Sequence, residues 1–206
     1  EDILDRTFPE WQKMNVILCT VSSSSVPLEA VLEERAAFFL RLTHLTPIPL
    51  KVLYNTPQSL GYDRLANAVA VNQIAPKENH ALAIDVGTCL KFDFVHRDKG
   101  YLGGGISPGL LMRYRALHNN TDALPLLDTV SEAVLIGNST NQSIHSGVIN
   151  GMLAEIEGII CRYELEFSPI SIYITGGDAQ TFEMVTKNNI FAHSFLTLVG
   201  LNDILE

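Results

Sequence analysis

Nothing in this chain is spaced as a disulfide or metal framework. Its three cysteines, Cys19, Cys89 and Cys161, are odd in number and far apart, and each sits in an apolar segment. That predicts buried, reduced thiols of a cytoplasmic protein. The histidines His44, His80, His96, His118, His145 and His193 never fall at H-x-x-x-H or H-x-H spacing, so no zinc site is expected. Positive charge is scarce: 14 Lys and Arg stand against 23 Asp and Glu, a formal charge of −9. Such a surface lacks the counterion-releasing cations that nucleic-acid binding needs, and Arg113 with Arg115 is too short a patch to replace them. No apolar run is long enough to span a bilayer. The residues from Glu1 are acidic and polar, unlike a secretory leader, and the chain does not open with Met. Ser107 and Ser146 have no nucleophile-elbow context, which argues against a hydrolase triad. Repeats and low-complexity linkers are also missing.

What is present is a globular composition, 47% hydrophobic and 18% charged over 206 residues, enough for one large domain or two small lobes. The run 15–21 reads as a buried strand of a parallel sheet. Ser22 to Ser25 form a polar break able to cap a helix, and 26–42 has helical spacing. Residues 44–52 are extended, and Pro47 and Pro49 suit them to an edge. Thr56-Pro57 predicts a helix start, running to about Ile74 and closed by Pro76 and Asn79. Residues 81–85, 90–95 and 101–106 read as a strand meander with turns at 86–88 and 98–100. Helices are expected from Pro108 to His118 and from Ser139 or Thr140 to about Glu164. A strand at 170–174, a short helix, a short strand and a terminal helical turn follow. The turn cluster near Pro76 suggests a boundary between residues 1–76 and 77–206.

Several segments carry chemistry. In I-D-V-G-T-C-L-K-F-D-F (84–94), Asp85 ends a buried strand and Gly87 opens a turn whose amides can face phosphate. Thr88 adds a hydroxyl, and Asp85 offers a hard oxygen to a cation. An ordinary hairpin turn with a capping aspartate is the other reading. G-Y-D-R (61–64) lies near a helix start, where anions are favoured, and sets the base Asp63 beside the fork of Arg64. A solvated pair of unlike charges is its plain alternative. Three successive glycines in G-G-G-I-S-P-G (103–109) imply a close approach of ligand or backbone, or a bulge. T-G-G-D (175–178) is a glycine turn after a buried strand, where ligands bind in open α/β sheets. N-S-T-N-Q-S (138–143) is a good helix cap and can hold a ligand as well.

Taken in order, Y-N-T-P-x-x-L-G-Y-D-R, I-D-V-G-T-C, G-G-G-I-S-P-G, L-P-L-L-D, G-N-S-T-N-Q-S-I-x-S-G and I-T-G-G-D resemble the type III pantothenate kinases, in their bacteroidete form, from Asn15 onward. The resemblance implies an actin-like α/β fold of the ASKHA class, with two ribonuclease-H-like lobes of mixed sheets flanked by helices, acting as a homodimer. It implies ATP-dependent phosphorylation of pantothenate, the first step of coenzyme A synthesis. Asp63 matches the general base. Tyr54, Gly61, Tyr62, Asp63, Arg64 and Thr140 match the pantothenate pocket. Gly87, Thr88, Gly103, Gly104, Gly176 and Gly177 would line the nucleotide cleft. Asp85 matches the ligand of a monovalent cation, potassium or ammonium, while magnesium would be held mainly by nucleotide phosphates and water. The apolar face of the helix from Thr140 is the candidate dimer interface.

Two departures stand out. The family begins with a strand and a D-x-G-N-T-x-x-K phosphate loop, and no such motif precedes Asn15. The expectation is a segment missing ahead of this sequence, because the first sheet otherwise lacks central strands. The alternative is an inactive homologue that binds nucleotide or pantothenate and acts through protein contacts. An ASKHA phosphatase finds no support in G-Y-D-R or N-S-T. Lys91 stands where the family more often has Thr; a cation there could contact phosphate or simply point to solvent from its strand, and the second is the expectation.

Overall fold

The computed structural model describes residues 2–20, 25–130, 132–183 and 190–206. A short helix α1 (Asp2–Thr7) and a 3-10 turn at Trp11–Lys13 lead into strand β1 (Asn15–Leu18). Helix α2 (Val26–Arg35) follows, and strand β2 (Phe38–Arg41) pairs parallel with β1 in a two-stranded sheet. The periodicity at 26–42 therefore misleads at its second half. Ala36 turns extended, and the aromatic, β-favouring Phe38-Phe39 pairs with Asn15 and Val16. β1 is half-exposed and not buried, because β2 is the strand that pairs with it. Val21 and the hydroxyls at 22–24 lie outside the described residues, while Ser25 precedes α2 and donates to Glu29 Oε1.

Residues 44–52 run to an isolated bridge between Val52 and Tyr101. Thr56-Pro57 opens a single 3-10 turn and not the helix: Leu60 and Gly61 are extended, and α3 (Tyr62–Ile74) starts with Gly61 as its cap. Asp63 sits in its first turn, where the helix dipole favours a carboxylate.

The main sheet has order β5-β4-β3-β6-β7. β3 (His80–Val86), β4 (Cys89–His96) and β5 (Gly100–Pro108) form an antiparallel meander, while β6 (Ile170–Thr175) and β7 (Ile190–Ala192) add parallel strands. Between them come α4 (Leu110–Asn119), α5 (Thr140–Glu166) and α6 (Ala179–Glu183), and α7 (Leu196–Leu205) closes the chain. The start of α5 is capped twice over. Ser139 Oγ accepts from the Gln142 amide, and Gln142 Oε1 accepts from the Asn138 amide.

The sheet buries both faces. Leu82, Ile84, Phe92, Phe94 and Ile172 meet Val148, Met152 and Ile156 of α5 in the larger core. The apolar face of α5 thus packs inside the molecule and is not available as a dimer interface. On the opposite face Ala81, Ala83 and Val95 meet Leu65, Ala68 and Val71 of α3. A third cluster, Leu42, Ala66, Val69, Leu201 and Ile204, ties α3 and α7 to the small sheet. Here α7 comes so close that a side chain at Gly200 would lie 1.8 Å from the Ala66 carbonyl.

All three cysteines are unpaired, and burial is not what keeps them so: Cys161 is exposed, and Cys19 and Cys89 are half-buried. Among the described residues no helix is long and apolar enough to cross a membrane.

Candidate active site

The α3 face of the main sheet is small and apolar at one end and charged at the other. The hairpin register sets Lys91 directly across from Asp85, and two residues on, Asp93 follows on the same face of β4. From α3, Asp63 and Asn67 reach the same place, being one helical turn apart.

Lys91 is the hub. Its Nζ lies 2.5 Å from Asp63 Oδ2 and 2.7 Å from Asp85 Oδ2, and its side chain is 14% exposed. The expectation of a solvent-pointing lysine is wrong, because the strand's other face is the one packed on α5. Burial pulls the ammonium down, but hydrogen bonds and charge from both carboxylates outweigh it and hold the pKa above the ordinary lysine value. For Asp63, burial pushes upward. The hydrogen bond and charge of Lys91, with the Arg64 amide 2.9 Å from Oδ1, outweigh it and hold the carboxyl below its ordinary value. Asp63 still has 46% of its side chain exposed, so a substrate hydroxyl can reach it.

Beside this hub lies a buried ion pair. Arg64 Nε donates to Asp93 Oδ1 at 2.8 Å, and the Tyr101 hydroxyl donates to the same oxygen at 2.8 Å. Burial pushes Asp93 up to about 6 against the pull of Arg64 and Tyr101. Burial pulls Arg64 down, yet Asp93 more than restores it. Burial thus works against the ionised carboxylate of Asp93, while Asp93 keeps Arg64 charged. Arg64 Nη2 approaches Asp93 Oδ1 to 2.7 Å as an ion-pair contact, but it and Asp93 Oδ2 are buried without hydrogen-bond partners. The Arg64 guanidinium lies 5.8 Å over the Tyr54 ring, which stacks at 6.0 Å on Tyr101.

At the end of β3, Asp85 lines a cleft of about 600 Å³ with Thr175, Gly176, Gly177 and Thr197. Gly176 has φ +103°, and a side chain there would lie 2.3 Å from the Val86 carbonyl, so glycine is required. At Gly177 nothing lies within 4 Å of a built side chain, which leaves the backbone open to a ligand. A side chain at Gly87 would lie 3.4 Å from Asp85 Oδ1, and Thr88 is exposed at the turn.

The structure therefore brings together Asp63, Arg64, Tyr54 and Asp85, with Gly61 at the helix cap and Gly87, Gly176 and Gly177 around the strand end. Gly103 belongs with Tyr54, whose ring sits 3.2 Å from where a side chain would be. Gly104 does not join the strand-end glycines. It pairs with Asp93, a side chain there would lie 1.8 Å from the Phe92 carbonyl, and it lines a separate cleft with Phe94 and Phe167. Tyr62 packs toward Leu42 and Ala66, on the side of the small sheet. Thr140 is exposed and lines a cleft of about 1180 Å³ between α4 and α5, apart from Asp63.

Asp85, the residue expected to hold a monovalent cation, has Lys91 Nζ 2.7 Å from its Oδ2. Sequence reasoning missed Asp93, Asn67 and Thr197. The first was within reach: once the 84–95 hairpin is read, Lys91 must face Asp85 and Asp93 must share their side of the sheet.

Comparison with known proteins bears on the same elements. The crystal structure of a conserved Baf family protein from Campylobacter jejuni superposes with a TM-score of 0.67 at 18% identity, over 97% of this chain and 86% of that one. An archaeal actin homolog superposes at 0.50 with 9% identity, over 99% and 72%. These likenesses establish an actin-like fold. A type III pantothenate kinase of Phocaeicola vulgatus is 42% identical over 190 residues, 92% of this chain and 78% of the relative. That of Christiangramia forsetii is 43% identical over 203 residues, 98% and 82%. The family model of type III pantothenate kinase matches residues 3–162, which include the whole Asp63–Lys91–Asp85–Asp93 cluster, and the chain belongs to that family.

Proposed function

We propose that this chain transfers the γ-phosphoryl group of ATP to the primary hydroxyl of pantothenate, giving 4'-phosphopantothenate for coenzyme A synthesis. Membership of the kinase family supports the reaction class. The observation that carries the reading within this chain is a half-exposed carboxylate, Asp63, joined through Lys91 to Asp85, which lines the glycine-rich cleft.

Asp63 accepts the proton of the pantothenate hydroxyl. A carboxylate held below its ordinary pKa is a weak base. Phosphoryl transfer through a loose transition state needs positioning and charge neutralisation more than a strong base, so a weak one suffices. Arg64 is buried in its ion pair with Asp93 and anchors the start of α3, whose Arg64 amide holds Asp63 Oδ1 at 2.9 Å. Tyr54 and the backbone at Gly61 form the neighbouring wall. The amides and hydroxyl of Gly87-Thr88 and the Gly176-Gly177 loop take the phosphate end of the nucleotide. Magnesium, held mainly by the nucleotide phosphates and water, would neutralise phosphate charge. We further propose a homodimer in the cytoplasm, with exposed Leu135 and Ile136 as apolar surface for a contact, and a lobe boundary near Pro76.

The test is ATP-dependent formation of phosphopantothenate by the full-length protein. Product that disappears in Asp63→Asn, with folding retained, supports the reading. A folded full-length protein that makes none replaces it with a binding homologue.

A further inference from the structure

A buried lysine needs a reason, because an ammonium is strongly hydrated and costly to remove from water. Lys91 has two carboxylates as its reason, one from the neighbouring strand and one from α3. A free cation at Asp85 would have to share the carboxylate that Lys91 already holds. Two unit charges about 4 Å apart near a protein surface repel by about 4 kcal/mol, or roughly three orders of magnitude in affinity. The remaining surroundings of Asp85 Oδ2 argue the same way. The Thr197 hydroxyl donates to Asn67 Oδ1 at 2.7 Å, which turns the Asn67 amide N–H groups toward Asp85, 3.5 Å from Oδ2. A donor there repels a cation, whereas an oxygen would have coordinated it. Among the described residues no group of three or more His, Cys, Asp or Glu is arranged to hold a metal ion.

We propose that Lys91 is the built-in monovalent cation of this active site: its ammonium takes the place of a free potassium or ammonium ion at Asp85 and holds Asp63 and Asp85 in register. The proposal rests on the kinase reading for its consequence on rate, and not for its consequence on ion binding. Lys91 is a positioning residue in this scheme, acting through the two carboxylates it joins. The enzyme then works equally in potassium, sodium or choline salts. Shortening Lys91 to Thr removes the charge and leaves an oxygen-lined space that a potassium ion fits.

The experiment compares full-length wild type, Lys91→Thr and Lys91→Met in potassium, sodium and choline chloride at equal ionic strength, reading phosphopantothenate formation and the thermal midpoint. Wild type should show the same rate and midpoint in all three salts. Lys91→Thr should lose about 10²-fold in choline, the scale of one lost electrostatic stabiliser. It should recover in potassium, with a midpoint that rises in potassium alone, and Lys91→Met should lose activity in every salt. The acid limb of the Lys91→Thr rate profile in choline should also move up in pH, since Asp63 no longer has a cation to hold its proton off. A wild type whose turnover or midpoint depends specifically on potassium overturns the proposal, and that arm needs no variant to fold. If no salt yields product, the kinase reading fails on its own, and the midpoints still decide whether wild type binds potassium.

Discussion

Across the five-stranded sheet, Leu82, Ile84, Phe92 and Ile172 point to α5, while Ala81, Ala83, Asp85, Lys91 and Asp93 point to α3. The α5 side is dry and bulky, and Met152 and Ile156 are wholly buried in it. The α3 side uses alanines to bring the helix close, and then buries Arg64, Asn67 and Asp93 where apolar side chains would have served stability better. Buried charge of that density costs free energy of folding, and its retention marks the face where the chemistry sits. On the α3 side, substitution of the half-exposed Asp63 should therefore cost rate, while substitutions at buried positions of either side should cost stability.

The sharpest separation is expected at Asp63. Asp63→Asn should lower turnover by about 10² to 10⁴-fold, the range of a positioned general base. Its thermal midpoint should stay near wild type, since the side chain is half-exposed. A folded Asp63→Asn that turns over like wild type would remove Asp63 as the base. At Asp93 the order reverses. Asp93→Ala strands the guanidinium of Arg64, itself 4% exposed, and should cost about 3–5 kcal/mol in denaturant unfolding. On the α5 face, Met152→Ala should cost about 2–5 kcal/mol by leaving a cavity. Turnover per folded molecule should hardly change. A rate loss there would mean that the two faces are coupled through β3 and β4.

How far the sequence shows this division depends on the range of the interaction. The 84–95 hairpin, the α5 cap and the strand at 170 are short-range events, set by turn glycines, a Ser-x-x-Gln cap and apolar runs, and they are legible. The break inside 26–42 is not, because the helical spacing continues through residues that β1 draws into a sheet. Lys91 reads as solvent-facing for want of a partner: a lysine on a strand points to solvent unless something holds it, and Asp63 arrives from 28 residues away. Thr197 fixes Asn67 from a distance of 130 residues, which no local pattern reports. The Arg64–Asp93 pair is likewise a product of packing, since each residue taken alone reads as a surface charge.

The smallest effect expected is a slope in stability with pH. The Asp93 carboxyl sits near 6 in the folded chain, because burial outweighs Arg64 and Tyr101, against about 3.9 for an unfolded aspartate. A carboxyl whose folded value is raised binds its proton more tightly in the native state. Its contribution is therefore fully present below about pH 4 and is lost as pH rises through about 6. Between those limits the folded protein should lose up to about 1.4 kcal/mol per pH unit relative to Asp93→Asn, which carries no proton to release. The comparison is of slopes and not of absolute stabilities, because the amide also weakens the contact with Arg64 at every pH. Parallel curves for the two proteins from pH 4 to 6 would show that Arg64 and Tyr101 hold Asp93 ionised throughout, and the charged face would then be less strained than its burial implies.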